Sequence, residues 1–146
     1  QTAKPTAGAA RFMATVRRRR VPLAIVSNNS SEAICSYLAV HDLTDLVHEV
    51  WGRDPEHVQL MKPNPHLVRA ALAGCRAQPG QAILIGDSVT DVQAATQAGV
   101  TCVGLANRPQ KIEPLRAAGA ETIIESMREL LPPPTATSTN HHRRQA

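Results

Sequence analysis

Ile83-Leu84-Ile85-Gly86-Asp87-Ser88-Val89-Thr90-Asp91 is an apolar run that breaks at a glycine and releases two acids, four residues apart, where a helix begins. Carboxylates so placed stand at the carboxyl end of a buried strand, where open α/β sheets keep their ligands. From Gln1 to Val26, by contrast, there is no Asp or Glu at all. If the acids hold a metal for phosphate chemistry, the usual partner carboxylate on a preceding strand is not in this chain.

Outward from that stretch, strands and helices alternate. Ala7 to Arg20 has Ala10, Met13, Ala14 and Val16 on one helical face, and a strand follows at Leu23 to Val26. Asn29-Ser30-Ser31-Glu32 has the form of a capping box, with Asn29 as cap, ahead of Ile34, Tyr37 and Leu38 at helical spacing. A short strand is expected from Val47 to Trp51, then a polar loop through Arg53 and Glu56. Asn64-Pro65 supplies cap and first residue for a helix carrying Leu67, Val68, Ala71 and Leu72, and Pro79-Gly80 ends that unit. The strand Ala82 to Ile85 leads into a helix from about Ser88, and Gly99 stands where a left-handed stop belongs. A strand from Cys102 to Leu105, a helix from Pro109 to Ala118 closed by Gly119, a strand at Ile123-Ile124 and a capping box at Ser126-Met127-Arg128-Glu129 complete the series. Such alternation predicts an α/β fold with a mainly parallel sheet covered on both faces. It divides the chain into a leading helix and basic run over 1–21, a core over 22–131, and a Pro/Thr-rich tail over 132–146 expected to be disordered.

The chain has 146 residues, 42% hydrophobic and 19% charged, which fits one small globular domain. With one Phe, one Tyr and one Trp, its core must be aliphatic, and base-stacking platforms for single-stranded nucleic acid are excluded. No apolar run approaches the ~20 residues of a membrane helix. Cys35, Cys75 and Cys102 are odd in number and set among apolar residues, so they read as reduced core thiols and point to a cytoplasmic setting. The net charge of +4 equals that of the run Arg17-Arg18-Arg19-Arg20. This basicity is local and suits the carboxyl end of a helix, so no nucleic-acid partner and no membrane partner is expected.

Three stations fall at comparable places. Ser27-Asn28 ends the first strand, Lys62 precedes the Pro-Asn-Pro helix start, and Asp87 with Asp91 ends the third strand, at intervals of 35 and 25 residues. A hydroxyl with exposed amides, one ammonium and a carboxylate pair are what a phosphoryl group with a magnesium ion requires. In order and wording, Ile25-Val26-Ser27-Asn28, Lys62-Pro63-Asn64-Pro65 and Gly86-Asp87-Ser88-Val89-Thr90-Asp91 resemble the second, third and fourth motifs of the haloacid dehalogenase-like (HAD) hydrolases. The resemblance covers Pro22 to Leu131 and implies a three-layer, Rossmann-like HAD core. It also implies a magnesium-dependent phosphatase acting on small phosphorylated substrates. Ser27 and the Asn28 amide would bind the phosphoryl group, Lys62 would steady it and the nucleophile, and Asp87 with Asp91 would serve the Mg2+ site.

Members of that family use an aspartate nucleophile that becomes an aspartyl-phosphate, in an Asp-x-Asp motif on an earlier strand. Nothing before Ser27 supplies it, and Asp42, Asp45 and Asp54 are no substitutes. The resemblance therefore implies a core lacking its central nucleophile strand, mid-sheet between the strands ending at Ser27 and Asp87. Such a strand buries about five apolar side chains at roughly 1.5–3 kcal/mol each, comparable with the ~5–15 kcal/mol stability of a whole domain. The chain is thus expected to be a truncated, inactive hydrolase, marginal when alone; the 35-residue interval leaves no room for a substrate-selecting cap.

Blander alternatives exist for each residue. Asp87 and Asp91 also suit a helix start, Lys62 a solvated loop, and Ser27 a turn. His41, His48, His57 and His66 lack ligand spacing. A degenerate, non-catalytic fragment that binds phosphate or a partner protein is the second functional class. A phosphorelay receiver is disfavoured because its acceptor aspartate also belongs on an early strand. The sequence sets no oligomeric state.

Overall fold

The computed structural model describes residues 3–134. Its elements alternate as the sequence predicts: α1 (Ala9–Arg18), β1 (Ala24–Ser30), α2 (Ser31–Val40), β2 (Glu49–Arg53), α3 (His66–Gly74), β3 (Ile83–Gly86), α4 (Val89–Ala98), β4 (Thr101–Leu105), α5 (Ile112–Ala118) and β5 (Thr122–Ile124). Short 3-10 turns join them, among them Pro109–Lys111 ahead of α5 and Met127–Leu130 after β5. The tail expectation lies, from residue 135 onward, outside the described residues.

All strand pairing is parallel, but it forms two sheets rather than one. β1 pairs with β2, Val26 opposite Trp51, while β3, β4 and β5 pair in order, Gly86 opposite Gly104 and Leu105 opposite Ile124. Among the described residues no strand links β1 to β3.

Helices on both faces nevertheless keep the two sheets in a common layer. On one face, Val68 of α3 and Val92, Ala94, Ala95 and Ala98 of α4 form a cluster against which Val26 of β1 and Leu84 of β3 both pack. On the other, α1 straddles the division: Met13 joins Ile34, Leu38 and Leu43 beside Ile25 of β1, while Ala9 and Phe12 meet Val103, Leu105, Ile124 and Ile85. Alternate strand residues point to opposite faces, so both sheets are aliphatic above and below. Ile83, on the strand that borders the division, is 66% exposed.

Local chemistry sets the ends of the elements. Ser88 accepts from the Asp91 amide and Asp91 reaches back, a capping box that starts α4, and Gly99 stops it at φ 74°, a left-handed conformation open to glycine. The cap of α2 is Ser30, which accepts from the Ala33 amide, not Asn29; β1 runs on to Ser30, so Asn29 is still in the strand. At α3 the expected boundary is also one residue early: Pro65 is the cap and His66 the first helical residue, while Asn64 Oδ1 accepts from the His66 amide at 2.9 Å. Of the cysteines only Cys102 is buried; Cys35 is exposed and Cys75 half-buried, so the expectation of three core thiols holds for one.

Burial, reinforced by the nearby Asp91 charge, pushes the Cys102 thiol up from 9.0 to about 11. The folded state therefore resists losing this proton. Its contribution to stability is intact below pH 9 and is lost as pH rises from about 9 to about 11. Urea denaturation across that window is expected to show wild type losing up to roughly 3 kcal/mol more than Cys102→Ala, which has no thiol to ionise.

Candidate active site

The carboxyl ends of β1 and β3 bring Asn28, Lys62 and Asp91 into contact, with Ser27 and Asp87 beside them in the chain. The register of β1 against β2 shifts between Val26 and Ser30, which lifts Ser27, Asn28 and Asn29 out of the regular ladder. Gly52 on β2 permits the close approach beyond this bulge: a Cβ there would lie 2.5 Å from the Ser31 amide nitrogen. Ser27 Oγ accepts from the Asn29 amide at 3.1 Å, which leaves its own proton free to donate.

Asn28 has a role that the sequence did not disclose. Its side-chain amide donates to the Lys62 carbonyl at 3.1 Å, and its Oδ1 accepts from the Lys62 amide at 2.9 Å. This two-way clasp ties the loop before α3 to the end of β1, across 34 residues of sequence. Lys62 is thereby aimed inward. Its Nζ donates to the Val26 carbonyl at 3.1 Å and pairs with Asp91 Oδ1. Both side chains are nearly buried, 10% exposed for Lys62 and 8% for Asp91.

Asp91 has no idle oxygen. Its Oδ2 accepts from the amides of Asp87 and Ser88, each at 3.1 Å. One carboxylate thus caps α4, shapes the turn after β3 and neutralises Lys62. Gly86 makes room for it, since a Cβ at that position would collide with the Asp91 side chain. Asp87, in contrast, points outward, 54% exposed, with Oδ2 2.8 Å from Nζ of Lys111. Lys111 was not among the predicted residues. The available signal was a lysine in the turn after β4, one strand along from Asp87.

The two acids therefore differ in availability. Magnesium takes hard oxygens and is often held by one or two carboxylates together with substrate phosphate and water. Asp87 fits that demand: its carboxylate is accessible and already holds a cation, the Lys111 ammonium. Among the described residues no three acids, histidines or cysteines cluster to make a complete metal cage. A cavity of about 350 Å³ beside the end of β2, lined by Trp51, Arg53, Met61 and His66 among others, contains none of these charged pairs.

A hydroxyl, an ammonium and carboxylates carried near strand ends in a layered α/β core are the groups that phosphoryl transfer uses. The haloacid dehalogenase-like hydrolase family matches residues 1–105, and the chain belongs to it. Among similar proteins, the phosphoglycolate phosphatase of Pseudomonas putida is 29% identical over 117 residues, 80% of this chain and 42% of that protein. The phosphoglycolate phosphatase of Vibrio vulnificus is 32% identical over 111 residues, 75% of this chain and 47% of its own length. A HAD family hydrolase from Deinococcus radiodurans, solved with bound phosphate and sodium, superimposes with a TM-score of 0.71 at 31% identity, covering 85% of this chain and 56% of that one. The chain spans about half the length of the curated relatives it matches.

Asp91→Asn is expected to cost about 3–5 kcal/mol in urea denaturation, because it leaves the Lys62 ammonium buried without its carboxylate. Adding Lys62→Met should recover much of that loss, as the introduced side-chain carbonyl can still accept from the two turn amides. Additive losses in the double variant would show that the pair is not coupled.

Proposed function

We propose that this chain supplies the carboxyl-terminal part of a magnesium-dependent phosphatase core acting on small phosphate monoesters, phosphoglycolate-like acids among them. The observation that carries this is the position of Lys62. Its ammonium spans Val26, where the regular pairing of β1 stops, and Asp91 at the start of α4, the two sides of the divided sheet. A strand seated between β1 and β3 would end against that cation. An aspartate at its end would be the nucleophile, as the family resemblance implies.

In that assembly each residue has a distinct task. The Ser27 hydroxyl and the Asn28 amide donate to phosphoryl oxygens, as preorganised dipoles do wherever charge develops. Lys62 offsets negative charge on the nucleophile and the phosphoryl group. Asp87 offers the accessible carboxylate for Mg2+. Bound there, the ion would neutralise phosphate charge and orient the ester. Asp91 supports the same centre indirectly, by fixing Lys62 and the turn that carries Asp87. Attack of the nucleophile on phosphorus would form an acyl phosphate as the ester P–O bond breaks, the leaving oxygen taking its proton from the second acid of the Asp-x-Asp motif. Water, giving a proton back to that acid, would then hydrolyse the acyl phosphate, releasing inorganic phosphate and restoring the carboxylate.

A second, non-catalytic reading keeps the same donors for phosphate or a partner protein. It is favoured by the lack of a candidate nucleophile among the described residues. Three free cysteines, one of them exposed, suit a reducing compartment such as the cytoplasm, and no helix among the described residues is long and apolar enough to cross a membrane.

Hydrolysis of a generic aryl phosphate with Mg2+ separates the two. The chain alone is expected to be inactive; a version extended with a strand bearing Asp-x-Asp should be active and should lose at least about a hundredfold on Lys62→Ala or Ser27→Ala with Asp87→Asn. The extension should also raise the thermal midpoint. A sharp, high-temperature transition in the chain alone, unchanged by the added strand, would count against this proposal.

A further inference from the structure

We infer that Lys111 is the exchangeable counter-cation of Asp87, a positioning residue that a divalent ion must displace and that thereby sets the ion's affinity. The inference rests on the assignment of Asp87 to the metal made above. Lys111 closes the 3-10 turn Pro109–Lys111, and its amide donates to the Arg108 carbonyl at 3.0 Å. The base of the side chain is therefore held by a proline-started turn at the carboxyl end of β4, the strand beside β3. From there Nζ reaches Asp87 Oδ2 at 2.8 Å across 24 residues of sequence. Among the described residues Lys111 pairs with no other acid.

The two lysines of the site differ in how freely they can leave. Lys62 is nearly buried and anchored twice, to the Val26 carbonyl and to Asp91. Lys111 is anchored once, and its side chain is 31% exposed. It can swing into water at the modest cost of an exposed ion pair. An ammonium and a divalent cation on one carboxylate repel each other, so they bind in competition. Until an ion arrives, the ammonium keeps the exposed carboxylate neutralised beside the turn amides that Asp91 holds. Lys62 is thus the fixed charge of the site and Lys111 the replaceable one.

The test follows Asp87 and Ser88 amide shifts in NMR spectra of the whole chain during titration with MgCl2, a readout independent of turnover. Wild type should show weak, saturable shifts centred on these amides, and Asp87→Asn should abolish them. Lys111→Gln should tighten the apparent Kd about two- to fivefold, the worth of an exposed ion pair, whereas Lys111→Arg should leave it near wild type. Saturable binding that is lost in Asp87→Asn but unchanged or weakened in Lys111→Gln would overturn the inference while the metal assignment stands. No Asp87-centred shift in any variant would overturn both.

Discussion

The ion pair of Lys62 and Asp91 is the interaction on which the rest of the site depends. A buried ammonium and a buried carboxylate tolerate each other only where every remaining lone pair and proton finds a partner. Here the second carboxylate oxygen takes two turn amides, and the ammonium also takes the Val26 carbonyl. The pair therefore joins β1 at Val26 to the start of α4, and the geometry of Asp87 follows from the same carboxylate. The clasp of Asn28 on the Lys62 backbone fixes the other end of this chain of contacts.

That polar bridge crosses a core whose apolar contacts are arranged around a division. Helix α1 packs Met13 against one sheet's cluster and Phe12 against the other's, and α3 with α4 covers Val26 and Leu84 together. Helices can hold two sheets in one layer without strand pairing between them, but the backbone groups of the facing edges then lack ladder partners. Edge strands in that condition are templates for a further strand. The exposed Ile83 lies on one such edge. Fold and site point to the same place, since the residues suited to phosphoryl transfer gather at the carboxyl end of the division.

The charges at the site also sort by depth. Asp91 and Lys62 are buried and mutually committed; Asp87 and Lys111 are accessible. Burial raises the cost of separating the first pair, while water screens the second. The inner charge balance is shielded from water, whereas the outer one is accessible to solvent.

The sequence by itself determined the order of the elements, because caps, stops and apolar periods are local. The helix start near Ser88, the stops at Gly99 and Gly119 and the capping box of Ser126 with Glu129 could all be read from spacing, and they stand in the structure where that spacing puts them. It also brought Ser27, Asn28, Lys62, Asp87 and Asp91 into one group through motif intervals. The cap of α2 was misplaced by one residue because Asn29 and Ser30 are equally competent caps, and the choice fell to how far β1 stays extended beside β2. Only the tertiary structure decided which acid is buried and which is open, that the Asn28 side chain holds the Lys62 loop, that Lys111 joins the site, and that the sheet divides between β1 and β3. Those outcomes depend on the ends of separate strands meeting across 24 to 34 residues of chain, a distance at which packing and topology, not local pattern, set the partners.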